Sequence, residues 1–168
     1  VEIALNSCDL LSKNLYDSLV HFSSSEVYGT CEISPMDENH PMKPITPYAA
    51  SKAACDHLVL SYFKTFGYDC RIIRPFNAYG PRQNEKQYAG VIPITIKRIL
   101  DGKEPVIYGT GKQMRDFTYV TDIASSAIEI CKAELSLGSA INIASGSTLT
   151  IEDLVSMICS LMDYKGNI

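Results

Sequence analysis

At 168 residues, 46% hydrophobic and 20% charged, the chain suffices for one domain with a real core, is short for two, and has an ordinary globular balance. Its net charge of −4, with no stretch that concentrates Lys and Arg, argues against a nucleic-acid-binding face. No apolar run approaches the ~20 residues of a bilayer span, and the opening segment carries Glu2 and Asp9 without a basic leader, so neither a membrane protein nor a signal peptide is expected.

In chain order, residues 1–13 read as a helix on which Ile3, Ala4, Leu10 and Leu11 share a face. Residues 19–24 form a short apolar strand, and 29–46, with Pro35, Pro41 and Pro44, a loop. The clearest helix starts at Thr46-Pro47: Thr46 caps it and Pro47 takes the first position, where no N–H is needed. It runs to about Phe66, where Gly67 supplies a left-handed stop. A strand over 70–74 leads into a loop with Asn77, Gly80, Pro81 and Asn84, then a helix over 91–100 ending at Gly102.

Residues 106–108 read as a short strand and 109–112 as a turn. Thr121 is expected to cap a helix that stops near Gly138, followed by a strand over 140–144. Thr150 with Asp153 resembles a capping box for a last helix over 151–162. Strands separated by helices imply a parallel α/β sheet. Doubly wound sheets normally begin with a strand and a glycine loop; a chain that opens on a helix reads as truncated.

Cysteines 8, 31, 55, 70, 131 and 159 are scattered with no Cys-x-x-Cys pair, which disfavours zinc and redox motifs. An even count leaves a disulfide framework open, although reduced cytoplasmic thiols suit a core-forming sequence better. His21, His40 and His57 are isolated, without ligand spacing, and no metal is expected.

Two segments carry chemistry. Phe22-Ser23-Ser24-Ser25-Glu26-Val27-Tyr28-Gly29 ends the first strand; side chains two apart on a strand share a face, so Ser24 and Glu26 are expected to project together. Open α/β sheets place their ligands at such strand ends. A serine-rich turn with a solvated Glu is the competing reading. Tyr48-Ala49-Ala50-Ser51-Lys52 opens the capped helix, where positions i and i+4 stand one above the other. A phenol is a poor base at neutral pH, but an adjacent ammonium favours its anion, which can take a proton from an alcohol. Tyr108 and Lys112 repeat the spacing across a Gly-rich turn, where the two side chains need not meet.

These segments resemble the extended short-chain dehydrogenase/reductases, and three more strengthen the match: Arg74-Pro75-Phe76-Asn77-Ala78-Tyr79-Gly80-Pro81-Arg82, Val91-Ile92-Pro93, and Val106 to Gly111 followed by Arg115 to Val120. The resemblance implies part of a doubly wound Rossmann-like fold. Residues 1–75 would be the second half of an NAD-binding domain, and 76–168 mainly a nucleotide-sugar-binding region with strands returning to the sheet, together one truncated structural unit. By similarity Tyr48 is the base, Lys52 holds Tyr48 and the nicotinamide ribose, and Pro75 sits where the chain passes the nicotinamide. Ser24 holds the reacting sugar hydroxyl, and Ser25 also belongs to the substrate-binding set.

Asn77 and Arg115 match positions on the substrate diphosphate. Val91 opens the helix that in the family lies against the nucleotide, Arg82 joins the substrate-binding set, and Tyr108 stands beside the nucleotide base. Turn and surface roles compete for Asn77, Arg82 and Arg115. Members of the family share oxidation at sugar C4. Glu26 resembles the base of the 4,6-dehydratases, whereas Ser25 departs from their usual acid; a 4-epimerase or a UDP-glucuronate decarboxylase remains the alternative. The resemblance also implies bound NAD, a UDP- or dTDP-sugar substrate, and a homodimer through the first two helices, with Leu60 and Phe63 as candidate contacts. Without the glycine loop these residues are expected to bind NAD weakly and to be inactive alone, and a non-catalytic binding fragment is the reading of another class.

Overall fold

The computed structural model describes residues 1–86, 89–134 and 137–168. They divide into two compact units: residues 1–76 with 121–144, and residues 77–120 with 145–168. No helix of the described residues is long and apolar enough to cross a membrane.

In the first unit, β1 (Leu19–Phe22), β2 (Cys70–Pro75) and β5 (Ala140–Ile143) form a parallel sheet in the order β1-β2-β5. The central strand is buried from Cys70 to Arg74, as a strand covered on both faces must be. Ile72 and Ile73 are fully buried on opposite faces of it, each burial worth roughly 1.5–3 kcal/mol.

Helices α1 (Glu2–Ser12) and α2 (Pro47–Phe66) cover one face. Ala4, Cys8 and Leu11 point from α1 into a core shared with Cys55, Val59 and Ile72. Ile3 and Leu10, expected on that face, are instead 83% and 42% exposed; the true stripe runs through positions 4, 8 and 11. Leu60 and Phe63 pack partly buried against the same core, and the ring of Phe63 lies where a Cβ on Gly138 would fall. Helix α2 starts and stops as its sequence requires: Thr46 Oγ1 accepts from Ala49 N at 3.1 Å, and Gly67, at φ 71°, returns its N–H to Phe63 O at 2.8 Å.

Helix α4 (Val120–Lys132) covers the other face with Ile123, which packs with Ile73 and Ile143. It follows β4 (Met114–Tyr119) without a break, so Thr121 lies inside its first turn and is not its cap. It also ends well short of Gly138.

The second unit holds β3 (Asn77–Tyr79), β4 and β6 (Thr148–Thr150), with β3 parallel and β6 antiparallel to β4, and helices α3 (Val91–Leu100) and α5 (Ile151–Leu161) packed on each other. The strand expected over 106–108 does not form. Thr150 caps α5 as expected: its hydroxyl accepts from Asp153 N at 3.0 Å and lies 2.6 Å from Asp153 Oδ2.

All six cysteines are free. Burial pushes the Cys70 thiol up to about 12 and raises that of Cys8 as well.

Candidate functional site

The helical spacing brings Tyr48 and Lys52 together: the Lys52 ammonium stands 5.9 Å from the centroid of the Tyr48 ring. Tyr48 is 52% exposed, so the phenol is open to a ligand. Lys52 Nζ donates to Phe22 O, the last carbonyl of β1, at 2.8 Å. An ammonium has three donors, and among the described residues only this one is engaged. A fixed charge with spare donors beside an exposed phenol can stabilise an oxyanion and hold hydroxyl groups.

The segment after β1 differs from expectation. The strand stops at Phe22, and Ser25–Tyr28 form a 3-10 turn. Strand alternation therefore does not relate Ser24 and Glu26. Ser24 is the N-cap of the turn, its Oγ accepting from Glu26 N at 3.2 Å. Side chain and amide are thus tied locally, which orients the serine without a strand. Glu26 is exposed, and among the described residues none engages its carboxylate. The turn packs against α2, the helix of Tyr48 and Lys52. Gly29 closes it at φ 73°, with a hypothetical Cβ 2.0 Å from Lys43 O, so only glycine fits there. Pro75 ends β2 opposite Ile143 and is half-buried.

Beneath these groups lies a polar network that sequence patterning does not reveal. Asp56, fully buried on α2, accepts from Arg74 Nε at 2.9 Å, and Arg74 is 3% exposed. Arg74 Nη1 donates to the hydroxyl of fully buried Tyr28 at 2.8 Å, and Tyr28 donates to Asn142 Oδ1 at 2.7 Å. Burial raises the Tyr28 phenol above its ordinary value, against the lowering effect of Arg74. The other Asp56 oxygen lies 3.9 Å from His21 Nε2, and neither atom has a hydrogen-bond partner among the described residues. His40 is structural: its Nε2 accepts from Glu32 N at 3.0 Å and its ring meets Tyr28 edge-on. The one available signal was an i+4 step from Lys52 to Asp56, one helical turn on the same face.

In the second unit, Asn77, Val91 and Arg115 line one pocket of about 330 Å³, with Gly90 and Ile151. Asn77 donates its Nδ2 to Asp116 O at 2.6 Å. Arg115 is exposed and spends one N–H on Met114 O at 2.8 Å; among the described residues the rest of its fork is unengaged. It does not pair with Asp116, which faces the opposite side of β4 and is buried. There Asp116 accepts from Ser145 N, Gly146 N and the hydroxyls of Ser145 and Thr118, at 2.8–3.3 Å. Arg82, at φ 66°, lines a neighbouring cleft of about 240 Å³ with Gln83 and Ile92. Tyr108 lines neither; it is 77% exposed on a turn, its carbonyl accepting from Gln113 Nε2 at 3.0 Å.

The family described as the NAD dependent epimerase/dehydratase family matches residues 1–144. A putative UDP-glucose 4-epimerase of Methanocaldococcus jannaschii is 34% identical over 163 residues, covering 96% of this chain and 52% of that protein. A UDP-N-acetylglucosamine 4-epimerase from Methanobrevibacter ruminantium M1, solved with UDP-N-acetylmuramic acid, superposes with a TM-score of 0.91 at 37% identity, over 97% of this chain and 52% of that one. The dTDP-glucose 4,6-dehydratase of Bacillus anthracis, solved with NAD, gives 0.87 at 31% identity, over 96% and 51%. The chain therefore spans about half the length of these relatives. Its parallel sheet and flanking helices are part of a Rossmann-like α/β fold.

Proposed function

The chain belongs to the NAD-dependent epimerase/dehydratase family, and we propose that it carries the reacting groups of a nucleotide-sugar enzyme that oxidises its sugar at C4 and continues as a 4,6-dehydratase. The observation that carries this reading is an unengaged Glu26 carboxylate on the turn that packs against the helix of Tyr48 and Lys52.

Tyr48, with the Lys52 ammonium beside its ring, is the base in this reading: in its anionic form Tyr48 Oη takes the proton of the C4 hydroxyl, which Ser24 Oγ orients. The donor set suits the nicotinamide end of a dinucleotide: the spare donors of Lys52 match ribose hydroxyls, and Pro75 ends the central strand. NAD, when bound, supplies the hydride acceptor. With a carbonyl at C4 the C5 proton is acidic; Glu26 removes it, and the C6 hydroxyl takes up a proton from solvent and leaves as water. In the second unit, the free fork of Arg115 suits diphosphate oxygens, with Asn77 and Val91 completing that pocket and Arg82 and Tyr108 nearby in sequence. Ser25, beside Glu26, joins the sugar-binding set.

Glu26→Gln in the intact enzyme is expected to keep C4 oxidation while elimination falls ~10²–10⁴-fold; Tyr48→Phe loses both. The similarity to two UDP-sugar 4-epimerases favours epimerisation as the second reading. A Glu26→Gln enzyme that forms the 4-epimer at the wild-type rate would decide for it, and release of carbon dioxide from UDP-glucuronate would decide for a decarboxylase. The reading includes a cytoplasmic homodimer through α1 and α2, where Ile3 and Leu10 stand exposed. Sedimentation of the intact enzyme as a monomer at high concentration would exclude that dimer.

A further inference from the structure

We infer that Arg74, with Tyr28 and Asp56, is a positioning device that sets the Glu26 turn against the Tyr48–Lys52 helix; this rests on the role proposed for Glu26. All three guanidinium nitrogens are engaged: Nη2 donates to Met42 Sδ at 3.5 Å, and the other two tie the elements that carry the reacting groups. Nε holds Asp56, one helical turn beyond Lys52 on α2, at 2.9 Å. Nη1 holds the hydroxyl of Tyr28, the last residue of the Ser25–Tyr28 turn, at 2.8 Å. One rigid planar group, itself fixed in the middle strand of the sheet, therefore touches both elements that carry the reacting side chains.

The contact is built for rigidity. Arg74, Asp56 and Tyr28 are 3%, 0% and 0% exposed, so water does not compete for these bonds. Tyr28 passes the chain of hydrogen bonds on to Asn142 of β5, whose own amide groups hold Met36 O at 3.2 Å and Glu38 Oε1 at 2.8 Å. The turn is thus fastened at its end by Tyr28 and at its start by the Ser24 cap. The backbone of Glu26 is held by the Ser24 cap and by Gly29 N, while its carboxylate, among the described residues, has no partner of its own. Its placement follows from these fastenings. Tyr48 and Lys52, by contrast, are also held by the helix cap at Thr46 and by Phe22 O, which do not involve Tyr28.

This asymmetry gives a test. Tyr28→Phe removes one oxygen, leaves the ring in place and releases the end of the turn. In the intact NAD-loaded enzyme, the first oxidation, read as nicotinamide absorbance, is expected to keep its wild-type rate and amplitude. Loss of the C5 proton, read as deuterium exchange into the sugar from heavy water, is expected to fall on the order of 10- to 100-fold, the scale for a small misplacement of a reacting group. Independently of turnover, amide exchange should quicken over residues 25–29 and not over 47–66. Arg74→Lys, which cannot hold both partners, should reproduce the split if it folds. Parallel loss of both steps, or no change in either while Glu26→Gln still blocks proton loss, would overturn the device and leave the proposed function standing. If Glu26→Gln itself leaves C5 exchange untouched, the function assigned to Glu26 fails and this inference with it.

Discussion

Lys52 reaches across from α2 to the last carbonyl of β1, donating to Phe22 O at 2.8 Å, and in doing so stands 5.9 Å from the Tyr48 ring centroid. A backbone carbonyl at a strand end is a fixed acceptor, so the ammonium is held without a carboxylate that would cancel its charge. Lys52→Met keeps the apolar stem and removes the charge. The initial oxidation in the intact enzyme is expected to fall by about 10²-fold or more, with little change in the urea midpoint, since the group is on the surface. Stopped-flow nicotinamide absorbance and a denaturation curve check the two halves.

The closed Asp56–Arg74 pair bears on stability. Removing one partner strands a buried charge, which costs about 3–5 kcal/mol. Asp56→Ala should lower the unfolding free energy by that amount, whereas Asp56→Ala with Arg74→Met should cost less than the single change. A double-mutant cycle in urea reads the coupling, and additive costs would count against a closed pair.

His21 makes stability pH-dependent. Burial pushes its imidazole below the ordinary 6.5, with Asp56 opposing and Lys52 adding to the shift. The unfolded chain therefore binds a proton that the folded chain resists. The stabilisation is complete above about 6.5 and is lost as pH falls through the lowered folded value. Wild type should lose more stability than His21→Asn between neutral pH and pH ~5; equal losses would mean that His21 is not the titrating group.

Asp116 organises the turn after β5 from the middle of β4. Asp116→Ala leaves the Ser145 and Gly146 amides without their acceptor, at a cost of about 3 kcal/mol. Calorimetric unfolding is the direct measurement. Arg115, on the other face of the strand, should tolerate alanine with little loss of stability.

Asp116 also explains why part of the fold is hidden in the sequence. Helix α2 is legible because Thr46, Pro47 and Gly67 are local signals, each acting on the few residues beside it. Strand β4 is not: Met114–Tyr119 turns Asp116 and Thr118 inward, so its alternation is polar-in, and the groups that satisfy Asp116 lie about thirty residues downstream. Strands β3 and β6, at three residues each, carry no periodicity to read. The Tyr48–Lys52 contact is legible for the same reason as α2, being one helical turn. The Arg74 network is illegible because its members come from α2, β2, β5 and the turn, and a charged residue inside a strand looks like a surface position until its partner is known.

The turn between β1 and Gly29 combines one immovable position with one free one. Gly29 admits no side chain, because backbone lies where a Cβ would be. Glu26, three residues earlier, is exposed and unengaged, so replacing it should disturb folding by only a few tenths of a kcal/mol. On the proposed function, selection acting on such a loop can exchange the group presented to a sugar without rebuilding the scaffold that presents it. New reactions then become reachable by single substitutions, each passing through a folded protein.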